Sequence, residues 1–185
     1  MKKKEPFIEE YISYRIYNHG SEYYLAAETL SGLEESHTAA IATCYSFAIE
    51  LFLKSLKATK QMVHVVSASY DLIDETLLKP TREAGGGHNL LALFQCLDTS
   101  VQEEIIDLYF NTRPFREDNF IEDLRRNSTV FIDWRYQFEG KTYILEPDTL
   151  RKIAAVLNQY VKHKLSEQSE KYRSETHNPN TNLKS

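Results

Sequence analysis

Residues Thr38 to Thr59 read TAAIATCYSFAIELFLKSLKAT, the longest strongly helical run in the chain. Ala42, Tyr45, Ala48, Ile49, Phe52, Leu53 and Leu56 recur at steps of three and four, which places them on one broad apolar stripe of a helix. Phe47 and Leu51 widen that stripe, so the helix is expected to be central and the most buried of the fold. Two charges interrupt it, Glu50 and Lys54, with the acid first at i,i+4, the favourable order for a helical ion pair. Such a pair is either a solvated surface pair or a polar cluster carried into the core. In a core each charge must find partners, because an unpaired buried charge is costly.

Outward from this run the chain stays helical in character. Pro6 to Leu33 reads as helix, with Pro6 acceptable in a first turn, a break or a tolerated weak point at Asn18-His19-Gly20-Ser21, and an end at Ser31-Gly32. After Lys60 the pattern changes. Met62 to Val66 is short and β-branched, Asp71 to Leu78 reads as a short helix, and Thr81 to Gly87 is rich in glycine. No GKS/T follows those glycines, so they are not a P-loop. His88 or Asn89 can cap a helix over Leu90 to Leu97, and Ser100 one over Val101 to Phe110. Phe120 to Ile132 reads as a further helix, Lys141 to Leu145 as a short extended segment, and Pro147-Asp148 as the start of the last helix. From Ser166 the sequence is polar and is expected to fray. The division is therefore a helical domain over 1–165 and a disordered tail over 166–185. The fold class is all-α, a compact bundle.

Composition narrows the function classes. The chain has 185 residues, 42% hydrophobic and 26% charged, which suits one globular domain with a real core. A formal net charge of −5 argues against an extended duplex footprint but leaves room for a local basic site. Cys44 and Cys96 lie in apolar helical runs and read as buried free thiols in a reducing, cytoplasmic setting. No Cys/His cluster has metal-ligand spacing, and no cofactor is implied. No apolar run approaches the roughly 20 residues of a membrane span, so no membrane partner is expected.

Three stretches in order, AIELFLKSLK, GHNLLALF and FIDWRYQFEG, give the chain a family resemblance. It resembles the HEPN domains (higher eukaryotes and prokaryotes nucleotide-binding) from about Tyr23 to Lys162. The resemblance implies a bundle of about four to five helices, often a homodimer. It implies a place in toxin–antitoxin, phage-defence or RNA-processing systems, with RNA or nucleotide as ligand and an antitoxin or nucleotidyltransferase as protein partner. Ribonuclease members carry a late Arg-x(4–6)-His motif, in which His moves a proton and Arg stabilises phosphate charge. Here the late candidates Arg125 and Arg126 are followed by no such His, so the usual catalytic motif is absent. Arg82 and His88, with five residues between them, fit the spacing at an earlier place, across the three consecutive glycines.

The candidate site residues are Glu50, Lys54, His88, Arg135 and Tyr136, expected to lie together as a binding or polar cluster. Each has a plainer role: Glu50 and Lys54 as a solvated pair, His88 as a cap, Arg135 and Tyr136 as packing around Trp134. Arg125-Arg126 reads as a solvated face or a phosphate site. Three functions stay open. The chain is a non-catalytic binding module, a metal-independent ribonuclease using Arg82 and His88, or a structural helical adaptor acting through a dimer surface.

Overall fold

The computed structural model describes residues 7–33, 37–65, 73–79, 87–112, 119–130 and 146–176. In chain order the elements are β1 (Phe7–Tyr11), α1 (Tyr14–Ser31), α2 (Thr38–Leu56), β2 (Ala58–Val65) and β3 (Ile73–Lys79). There follow α3 (Leu90–Gln95), α4 (Thr99–Thr112), α5 (Phe120–Arg126) and α6 (Pro147–Thr176).

The central helix is where its stripe places it. Ala42, Tyr45, Ala48, Ile49, Phe52 and Leu53 are all buried, and α2 packs against α1, α3 and α6. Helix α1 runs antiparallel to it. Tyr17 lies against Phe52 with ring centroids 5.7 Å apart, and Tyr24 against Tyr45 at 6.0 Å. On the other side, α6 contributes Leu150, Ile153, Ala154, Leu157 and Val161. Phe120 of α5 bridges Phe94 of α3 at 4.9 Å and Tyr109 of α4 at 5.2 Å, edge to face, an arrangement that suits the quadrupoles of the rings. Among the described side chains the core cluster is drawn from helices and the turns at their ends, so the fold is an all-α bundle in its core.

A three-stranded antiparallel sheet, in the order β1-β2-β3, is attached to that bundle. Phe7 stands opposite Met62 and Tyr11 opposite Ala58, while Thr59 stands opposite Lys79 and Val65 opposite Ile73. β1 leads into α1 and β2 leaves α2, so the sheet grows from one end of the α1–α2 pair. At that end the Ser13 amide donates to the Ser55 carbonyl at 2.9 Å.

This corrects four readings. Pro6 to Leu33 is not one helix: residues 7–11 pair with β2, and α1 starts at Tyr14 behind Ser13, whose Oγ accepts the Ile16 amide. Residues 73–79 are a strand rather than the helix expected over Asp71 to Leu78, because the β2 ladder outweighs the local helix preference of Leu77-Leu78. Phe120 to Ile132 is not one continuous helix: α5 ends at Arg126, where Asn127 Nδ2 donates back to the Asp123 carbonyl at 2.8 Å and a turn follows through Thr129, and Phe131 and Ile132 lie outside the described residues. The last helix continues past residue 165 to Thr176 on an exposed polar stretch, so the boundary at 165–166 is not a helix end. Lys141 to Leu145 lies outside the described residues.

Two smaller outcomes follow. Asn18 to Ser21 is a tolerated weak point rather than a break: the helix runs through it, with Gly20 buried against α2. Both cysteines are free but only half-buried. Among the described residues α2 is long and apolar enough to span a membrane, contrary to the sequence reading; half of that apolar stretch is buried inside the bundle, and it carries Glu50 and Lys54.

Candidate functional site

Glu50 lies on α2 among Ile49, Phe52 and Leu53 and is buried, with 5% of its side chain accessible. A carboxylate there needs partners on both oxygens. Lys54, one turn along α2, places Nζ 2.5 Å from Oε1. His88 places Nδ1 2.9 Å from Oε2. The side chains of Lys54 and His88 are 29% and 47% accessible, so one buried carboxylate holds two groups that reach the surface.

The chain brings His88 to Glu50 by local means. Gly87 takes a φ of +56°, which a glycine adopts without strain, and a Cβ there would meet nothing within 4 Å. Asn89 then caps α3, its Oδ1 accepting the Ala92 amide at 2.9 Å. The Leu90 amide donates to the Ser128 carbonyl at 3.2 Å, which fixes the start of α3 beside the end of α5. A carboxylate on Nδ1 orients an imidazole, and a lysine on the same carboxylate adds positive charge beside it. The arrangement can hold an anion, and it can position an imidazole for proton transfer.

The sequence therefore places three of its candidates together: Glu50, Lys54 and His88. Arg82, Arg135 and Tyr136 lie outside the described residues. Arg125 and Arg126 are exposed on α5 and both face Glu122. Among the described residues no group of His, Cys, Asp and Glu is placed to hold a metal.

Sequence reasoning missed a second class of polar contact, in which a tyrosine reaches a carboxylate on another helix. Tyr45 of α2 donates to Glu28 of α1 at 2.7 Å, and Arg151 of α6 grips the same carboxylate with Nε at 2.8 Å and Nη2 at 2.6 Å. The Arg151 hydrogen bonds hold the Glu28 carboxyl below its usual range, against the opposing effect of burial. Burial, with Glu28 beside it, pushes the Tyr45 hydroxyl up to about 12. Tyr109 donates to the fully buried Asp123 at 2.5 Å, and Tyr160 to Glu104 at 2.9 Å. Lys164 also binds Glu104, at 2.8 Å, and holds that carboxyl below its usual range. The only sequence signal for these contacts is the abundance of tyrosine, 12 residues.

No protein-family model, no curated protein and no solved structure matches the chain. The function is therefore argued from the bundle and its polar cluster.

Proposed function

We propose that the chain is a HEPN-like helical module that binds RNA or nucleotide without cleaving it. It works as a cytoplasmic homodimer in a defence or toxin–antitoxin setting, with an antitoxin or nucleotidyltransferase as its protein partner. One observation carries the reading. The first two stretches of the resemblance, AIELFLKSLK and GHNLLALF, are 38 residues apart at Glu50 and His88, and their polar residues meet on one carboxylate. A half-exposed imidazole and the Lys54 ammonium reach the surface together from one buried carboxylate, and the ammonium suits a phosphate.

The same contact favours a second reading, a metal-independent ribonuclease using Arg82 and His88, because a carboxylate behind an imidazole is how a general base is oriented. Of the five residues between Arg82 and His88 three are glycine, the residue type with the widest backbone freedom and so the least suited to holding two groups in a fixed geometry. Incubation of the purified chain with mixed single-stranded RNAs in EDTA, beside a His88→Ala variant, separates the two. We expect binding without cleavage. Cleavage by the parent that His88→Ala abolishes would replace the binding reading with the nuclease.

A further inference from the structure

We infer that Tyr23, stacked on Phe47, is a platform for a nucleobase whose phosphate meets Lys54, so that the ligand is recognised by a base as well as by a phosphate. The inference rests on the binding reading above and makes its ligand specific.

Tyr23 of α1 lies on Phe47 of α2 with ring centroids 5.0 Å apart and planes 18° from parallel. The neighbouring α1–α2 ring pairs differ: Tyr17 on Phe52 and Tyr24 on Tyr45 are tilted by 33° and 55°, and both α1 tyrosines are half-buried. Phe47 covers one side of the Tyr23 ring, and Tyr23 is still 40% exposed. A flat aromatic pair at the surface can take a base as the next layer of the stack. Such stacking tolerates any sequence, because every base has a π-face.

The helix itself places Lys54 on the same stripe. Phe47, Leu51 and Lys54 follow at i, i+4 and i+7 along α2. At about 100° and 1.5 Å per residue, Lys54 stands about 10 Å along and about 20° around the helix from Phe47. Its ammonium is closer than that. Nζ is drawn back to Glu50 Oε1 at 2.5 Å, and Glu50 is three residues from Phe47. An ammonium has three donors, and this carboxylate oxygen takes one. Between the two ends, Phe47 and Leu51 are half-buried, and half of the apolar stretch of α2 is left outside the bundle. An apolar floor with a flat ring at one end and an ammonium at the other matches a nucleotide, whose base is flat and whose phosphate is anionic. Glu22, next to Tyr23 in sequence, points a different way around α1. It accepts from Asn18 Nδ2 at 3.3 Å and faces His19 at 3.4 Å, so it does not oppose a phosphate on this stripe.

The test is fluorescence anisotropy on the full chain over a range of salt. The probes are a labelled oligoribonucleotide and an abasic oligonucleotide of equal length. The parent should bind the base-bearing strand about tenfold more tightly than the abasic one. Tyr23→Ala should remove that preference and leave the salt slope unchanged, while Tyr23→Phe, which keeps the ring, should retain the preference. Lys54→Ala should weaken both probes and lower the slope by about one. Melts matching the parent confirm that the variants fold. If Tyr23→Ala does not fold, Tyr23→Leu covers Phe47 without a flat ring and should lose the preference in the same way. A parent that binds both probes equally, an alanine or leucine variant that keeps the preference, or a phenylalanine variant that loses it would overturn the platform. Binding that Lys54→Ala weakens would then leave the binding reading standing. If the parent binds neither probe, both fall.

Discussion

Replacing Gly20 with alanine tests a close approach of α1 to α2. Two effects oppose each other. Alanine favours a helix interior by about 1 kcal/mol over glycine. Against that, a Cβ on Gly20 would stand 2.9 Å from both Cδ1 and Cε1 of Phe52 and 3.2 Å from Cβ of Leu51. Carbon atoms prefer about 3.5–4.0 Å, so the Phe52 ring must withdraw by more than about 0.5 Å. It has little room, since the ring is fully buried and faces Tyr17 at 5.7 Å, and Leu51 Cβ moves only with the α2 backbone. Overpacking of this kind costs about 1–3 kcal/mol. We therefore expect Gly20→Ala to lose about 1 kcal/mol net, a fall in Tm of about 2–4 °C for a domain of this size. Thermal melts followed by circular dichroism measure it, with Gly32→Ala as control, because a Cβ there has nothing nearer than the Thr29 carbonyl at 3.5 Å. Combining Gly20→Ala with Phe52→Leu should cost less than the two single changes added together. A Gly20→Ala melt equal to or above the parent would refute the close packing of α1 on α2.

Two further outcomes test the tyrosine–carboxylate contacts. Tyr109→Phe removes the hydroxyl that donates to buried Asp123, and should destabilise by about 1–3 kcal/mol, read as a lower urea midpoint; an unchanged midpoint would show that the bond contributes nothing. Glu28→Gln should cost at most about 1 kcal/mol at neutral pH, because the Arg151 side chain is 53% accessible and solvent screens the pair. The folded state holds the Glu28 carboxyl below its ordinary range, so its contribution is present above that range and is lost as pH falls through it. The difference in Tm between parent and Glu28→Gln should therefore narrow below about pH 4; a difference that stays constant into acid would count against the Arg151 pairing.

What could be read from the sequence, and what could not, divides along the range of the interactions. The α2 stripe is local: its period is set by the helix itself, and Ala42 through Leu53 are buried as the spacing requires. The strands are not local. Phe7 and Tyr11 fit a helix at i,i+4, and they become a strand because Met62 and Ala58 lie opposite them. Leu77 and Leu78 are strong helix formers that the β2 ladder recruits. The same division runs through the polar groups. A charge inside an apolar stripe signals its own cost, so Glu50 announced that polar partners must come to it, and Lys54 and His88 could be named beforehand. A tyrosine inside an apolar stripe signals nothing of the kind, because its ring already accounts for the position. Tyr45 filled its place in the pattern as a hydrophobe, and its hydroxyl then selected Glu28, a carboxylate shared with Arg151 from 123 residues further along the chain. An acid whose partners lie on other helices looks like any surface acid from within its own helix. That is why Glu28 and Asp123 went unmarked while Glu50 did not, and why the contacts joining α1, α2 and α6 emerge only once the bundle has closed.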